Sequence, residues 1–132
     1  MSFLRAIIKA DFEKGETKME KLKELAKVCT DAQRKLIREM IHDAADYVRA
    51  VVVMETAASN IAGLDSDAAK DALATTDRAR TIAHDAFIAS VNVVNRICDK
   101  HEFPRIYTGG DARREYGDFA MVLVTEIFAK RS

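Results

Sequence analysis

Apolar residues recur every three or four positions along most of this chain, the spacing of helices that bury one face. Leu4, Ile8, Phe12, Gly15, Met19, Leu22, Ala26 and Cys29 keep one phase, predicting a single first helix over Ser2–Cys29 with Gly15 on its seam. The competing reading is a break at Gly15, because a mid-helix glycine costs about 1 kcal/mol relative to alanine. Thr30 and Asp31 are both good caps and separate this helix from a second over Asp31–Ala62. The apolar face of the second helix carries Leu36, Ile37, Met40, Ile41, Ala44, Val48, Val51, Val52 and Ala58, and Glu55 falls among these valines. An unpaired carboxylate on a buried face is costly, so the pattern demands a partner for Glu55.

Gly63, Leu64, Asp65 and Ser66 read as the main turn, and Ser66 or Asp67 caps an alanine-rich stretch over Asp67–Ala74. Thr75, Thr76 and Asp77 prefer caps to helix interiors and predict an interruption there. A third main helix follows over Asp77–Glu102, stopped by Pro104. Phe103–Gly110 reads as a loop and Asp111 as the cap of a fourth helix reaching Lys130. Ala112, Tyr116, Phe119, Ala120, Leu123, Val124, Ile127 and Phe128 form the inward face of that helix. No segment alternates with period two, so no sheet is expected. Four amphipathic segments joined by short connections predict an all-α, antiparallel up-down-up-down bundle of four main helices, forming one domain over residues 1–132.

Charge narrows the function classes. Lysine plus arginine equals aspartate plus glutamate at 21 each, so no global field favours nucleic acid or an anionic membrane surface. Cys29 and Cys98 lie far apart and inside helical patterns, which argues against a disulfide framework and against zinc. The first residues lack a basic start followed by a long apolar run, and no apolar run is long enough to span a bilayer. These features predict a cytoplasmic protein with free thiols.

Several short motifs touch known chemistry without specifying it. Glu39-x-x-His42 matches the ligand spacing of ferritin-like di-iron bundles, but His42 shares its face with Lys35, Arg38, Asp46 and Arg49, and a second copy of the motif is lacking. His42-Asp43 and His84-Asp85 resemble the dipeptide of HD-type phosphohydrolases, yet adjacent helical residues point about 100° apart. Glu13-x-x-Glu16 with Glu39, Asp43 and Asp46 loosely resembles the carboxylate sets of all-α nucleotide pyrophosphohydrolases. Arg78-x5-His84 resembles the signature of HEPN helical nucleases, although Ala79 replaces the polar residue often found after the arginine. Gly109-Gly110-Asp111 with Arg113 and Arg114 stands at a helix start, but Asp111 would repel a phosphate and no P-loop follows. No metal or cofactor is assigned.

The third helix mixes polar residues into an otherwise apolar rod. Arg80, Thr81, His84, Asn92 and Asn95 share a face about 120° wide, flanked by Asp85 and Arg96. We expect a buried or half-buried network of Glu55, Arg80, His84, Asn92, Asn95 and Arg96, since each buried polar atom needs a partner. One role is structural, fixing helix register or lying in a dimer interface; the other is a pocket for a small anionic or polar ligand. The leading functional expectation is a non-enzymatic protein acting by self-association or partner binding, in which long helices leave an apolar strip for a symmetric homodimer. The alternative is a small enzyme acting on a phosphodiester or nucleotide, with His84 as acid/base and Arg80 or Arg78 holding the anion.

Arg78-x-Arg80, Ala83-His84-Asp85-Ala86, Ser90-x-Asn92, Asn95-Arg96, Ile106-Tyr107 and Arg113-Arg114-Glu115 together resemble a small family of uncharacterised bacterial helical proteins of the domain-of-unknown-function class. The resemblance covers residues 77–130. It implies a helical bundle from a bacterial cytoplasm and carries over no catalytic roles.

Overall fold

The computed structural model describes residues 17–64 and 66–131, the last two by their backbone alone. Four helices make up an all-α bundle: α1 (Lys18–Lys27), α2 (Asp31–Asn60), α3 (Asp67–Lys100) and α4 (Arg113–Arg131). No strand occurs among the described residues.

The first helix does not run unbroken from Ser2. Thr17 is extended at φ −80°, ψ 164°, and its hydroxyl accepts from the Glu20 N–H while the Glu20 carboxylate accepts from the Thr17 N–H. Such a reciprocal cap begins a helix and cannot lie inside one. Leu4, Ile8, Phe12 and Gly15 fall outside the described residues. The Glu126 carboxylate of α4 adds a second cap, accepting from the N–H groups of Lys18 and Met19 at 3.3 and 2.9 Å. At the start of α2, Thr30 and Gln33 repeat the reciprocal arrangement.

Two other expectations change along α3 and α4. No interruption falls at Thr75–Asp77, and α3 is continuous for 34 residues. The Thr75 and Thr76 hydroxyls donate to the carbonyls of Asp71 and Leu73, both at 2.9 Å, so they bond back into the helix they were expected to break. Helix α4 starts at Arg113, and the Ala112 carbonyl, one residue after Asp111, receives its first N–H groups.

α2 and α3 form a long antiparallel hairpin. Gln33 meets His101, Asp43 accepts from Ser90, and the rings of Tyr47 and His84 meet at 5.0 Å. Small residues seven apart on α3, namely Ala69, Thr76, Ala83 and Ser90, are buried or half-buried and let the two helices approach closely.

α4 departs from the expected up-down-up-down order. Its N-terminal residue Arg113 lies beside His84 and Asp85, Phe119 lies against Phe87, and its last turns lie beside Arg38, Ile41 and Ala45 of α2. α4 therefore runs in the same direction as α3 and antiparallel to α2. The segment from His101 to Ala112 makes this possible by returning along α3. It must climb from residue 100 to the level of residue 84, about 24 Å, well within the roughly 40 Å that its length can span. Its first turn is set by Glu102 at φ +57°, with the Phe103 N–H donating to the Cys98 carbonyl at 2.8 Å and the Glu102 N–H to Asp99 at 3.2 Å. This is a Schellman end with glutamate in the left-handed position where glycine is usual.

The core is one cluster at one end of the hairpin. It joins Leu22 and Leu25 of α1, Cys29 of the turn that follows it, Ile37, Met40 and Ala44 of α2, Phe87, Val91, Val94 and Cys98 of α3, Ile106 and Tyr107 of the return segment, and Tyr116, Phe119 and Leu123 of α4. Leu36, Ala112 and Phe128, expected inward, are exposed. No described residue of α2 beyond Ala44 is fully buried, and before His84 only Ala69 of α3 is.

Candidate functional site

The polar residues of α3 do two separate jobs instead of forming one network. His84 is 2% exposed, and its Nε2 lies 2.7 Å from the Arg113 carbonyl. A carbonyl only accepts, so that nitrogen carries the hydrogen, and Nδ1 is left without a partner among the described residues. The Tyr47 ring stands edge-on to the imidazole, and the Tyr47 hydroxyl lies so close to Gly117 that a β-carbon there would meet it at 2.9 Å. Glycine at 117 thus lets α4 lie against Tyr47. Asp85, one residue on, pairs with the Arg113 guanidinium.

Asn95 does the second job, some 16 Å farther along α3. It is buried; its Nδ2 donates to the Tyr107 carbonyl at 3.0 Å, and its Oδ1 accepts from the Tyr107 N–H at 3.3 Å. The Tyr107 hydroxyl donates to the Gly110 carbonyl at 2.8 Å, and its ring stacks on Tyr116 at 4.5 Å. Burial, followed by the nearby Glu115 charge, pushes the Tyr107 phenol up to about 12. Below Asn95, Arg105 pairs with Asp99, which holds that carboxyl below the usual range. His84, Asp85, Asn95 and Asp99 thus clasp successive parts of the segment from Arg105 to Arg113.

The other expected members stand apart. Arg80 is half-buried and binds Asp77 of its own helix, at 2.9 Å through Nη2. Asn92 and Arg96 are exposed. Glu55 is exposed and meets none of them. The antiparallel pairing sets Glu55 level with residue 77 of α3, about 28 Å along the helix from Arg96, while Arg80, near that level, is held by Asp77. Tyr47 was not singled out in the sequence; Tyr107 entered only through the family resemblance, and Arg113 through that resemblance and the glycine–arginine helix start. An aromatic residue two positions before a Gly-Gly pair was the available signal for Tyr107.

The chemistry follows from these placements. His84 is sealed and already committed to a backbone carbonyl, so it cannot reach a substrate as an acid or base in this arrangement. His42 is exposed beside Asp46 at 3.2 Å, and Asp43 completes a group whose ligand atoms lie within 4.8 Å of one another. Ser90 already engages Asp43, and Arg49 engages Asp46. Burial raises both cysteine thiols above their ordinary value, so neither is primed as a nucleophile.

The surface left over is the distal half of the hairpin. Beyond Val48, no described part of α1 or α4 lies over α2, which runs on to Asn60, about 18 Å. The stripe that faces the core at Ile37, Ile41 and Ala44 continues there through Val48, Val51, Val52, Glu55, Ala58 and Ser59. Val52 is 55% exposed, and Leu64 at the tip and Leu73 on α3 are exposed as well.

These features define an all-α bundle with a projecting two-helix arm and a clasped return segment. The chain belongs to the family described as protein of unknown function (DUF3232), whose match extends over residues 1–132 and so takes in the N-terminal half along with residues 77–130. No curated protein and no solved structure matches it. No helix among the described residues is long and apolar enough to cross a membrane.

Proposed function

We propose that this chain is a cytoplasmic protein that acts by self-association, two copies pairing through the α2–α3 arms. The observation that carries this reading is the core-facing stripe of α2 continuing past the level where α4 begins, with no described residue of α1 or α4 over it. A second arm supplies the two helices that a four-helix bundle requires. Orientation is set by bulk: α4 occupies the interface side of the hairpin below Val48, so parallel arms would drive one α4 into the other. Antiparallel arms bring each tip up against the partner's Arg113.

The stripe is self-complementary in that orientation. A two-fold axis crossing the arm at its midpoint sets Val52 against Ala58 and Val51 against Ser59 of the other copy. The large residues lie on the inner half and the small ones on the outer half, as interdigitation needs. The flat footprint is about 18 Å by 20 Å, or on the order of 400 Å² per copy, below the roughly 800 Å² typical of tight pairs. The dimer is therefore weak, with a Kd in the tens of micromolar by order of magnitude.

Light scattering across a concentration series tests this. Dimer should grow in over that range, and Val52→Asp should abolish it while leaving the helical signal intact. A chain that stays monomeric up to several times that concentration would end the proposal. So would a Val52→Asp variant that loses thermal stability as a monomer, since the stripe would then be covered by the chain's own residues 1–16.

A further inference from the structure

The midpoint of the stretch of α2 that no described residue of α1 or α4 covers, from residue 49 to residue 60, falls between Met54 and Glu55, and of these two Glu55 is the exposed one on the stripe. We infer that the two Glu55 carboxylates face each other across the two-fold axis of the dimer and make self-association pH-dependent, tighter in acid. The inference rests on the self-association reading and adds its regulation.

An antiparallel pairing of identical helices sets the central residue against itself. Glu55 is the only charged residue of α2 from Ala50 to Asn60. Its neighbours on the stripe are Val51, Val52, Ala58 and Ser59, none of which can neutralise it. From α3, Asp77 and Arg80 share the face, and they neutralise each other through their 2.9 Å ion pair. Lys70 lies farther out toward the tip, level with residue 62 in the turn beyond α2. At the far side, the partner's tip would approach Asp111 and Arg113, of which Arg113 is held by Asp85. The pair of Glu55 carboxylates is what remains unbalanced.

Like charges brought together as apolar surface closes around them oppose association, and a proton taken up by one of them removes the repulsion and supplies a hydrogen-bond donor to the other. At separations of a few ångströms the repulsion lies between the aqueous and near-surface limits, corresponding to roughly tenfold in Kd. Glu55→Gln should therefore tighten the dimer about tenfold at neutral pH and make its Kd nearly independent of pH down to mildly acid conditions. The unaltered chain should tighten by a similar factor over that interval.

Sedimentation equilibrium of the full chain at neutral and mildly acid pH, with Glu55→Gln, Val52→Asp and the exposed Glu39→Gln as a control, reads all of this. Glu39→Gln should behave as the unaltered chain. A dimer that Val52→Asp disrupts, but whose Kd neither responds to acid nor to Glu55→Gln, would overturn the carboxylate pairing and leave the self-association reading standing. The absence of any dimer would overturn both. A pH response retained in full by Glu55→Gln would assign it to other groups, such as His42 or His101, and refute the inference.

Discussion

Asn95→Ala removes the side chain that satisfies both backbone groups of Tyr107, and its effect can be worked from the structure. Two hydrogen bonds, at 3.0 and 3.3 Å, are lost. A net bond of this kind contributes about 1 kcal/mol, and each buried group left without a partner costs a further ~1–3 kcal/mol where water cannot enter. Tyr107 and Ile106 are both buried, so relief by water is incomplete. The expected loss is about 2–4 kcal/mol, or roughly 10 °C in Tm for a chain of this size. The same substitution at Asn92, on the same helix but exposed, brings the same gain in helix propensity and should change stability by no more than about 0.5 kcal/mol. The difference between the two variants therefore isolates the clasp. Urea unfolding measures it, and hydrogen exchange at the Tyr107 amide should accelerate only in Asn95→Ala. Asn95→Asp adds a sign test. It keeps the acceptor for the Tyr107 N–H but sets a carboxylate oxygen against the Tyr107 carbonyl, so its stability should recover as pH falls and that oxygen takes up a proton. If Asn95→Ala and Asn92→Ala unfolded together, the return segment would be held by something other than Asn95.

Two further outcomes follow from the same segment. Glu102→Gly relieves a left-handed glutamate at φ +57° and should stabilise the chain by up to about 1 kcal/mol, measured by urea unfolding; a loss would mean that the Glu102 side chain contributes more than its backbone costs. The Tyr107 phenol, pushed up to about 12, stays neutral in the folded chain while the unfolded chain ionises near its ordinary value of 10. Stability is thus fully present below about pH 10 and falls as pH rises toward 12. In Tyr107→Phe that alkaline loss should shrink, at a cost of about 1 kcal/mol at neutral pH for the missing bond to Gly110. Denaturation midpoints across this pH range check both statements.

The reach of the sequence can be judged from particular residues. The helices of the described region were legible because each buries one face, and the periods through Ile37–Val52 and Tyr116–Leu123 are those of rods on a common core. Thr17-x-x-Glu20 was equally legible as a start signal, yet an apolar seam running in phase across it gave the opposite reading. Capping is local and binding at once, whereas a seam in phase requires only that neighbouring apolar residues repeat. Thr75 and Thr76 misled for the converse reason: side chains that can cap a helix can also bond back into it, and the choice depends on the chain around them. His84 and Asn95 were correctly marked as polar atoms requiring partners. Their partners were backbone carbonyls and amides of a segment that looked like a plain loop, which composition cannot announce.

The direction of α4 and the exposure of Glu55 share a single cause. A helix of 30 residues beside one of 34 needs cover along its whole length, and a fourth helix of 19 residues cannot give it. Had the chain turned directly at His101, α4 would have lain antiparallel to α3 over the same proximal core. By returning along α3 before α4 begins, the chain instead carries the start of α4 as far up the hairpin as the level of His84, and there the clasp fixes it. The cover ends where the clasp ends. Val51, Val52 and Ala58 beyond that level still follow the period of a buried face, which is why Glu55 among them looked buried from the sequence and is exposed in the single chain. A periodicity of this kind marks a face built to be covered, and in the proposed dimer a second arm would cover it with the same length and the same alternation of large and small residues.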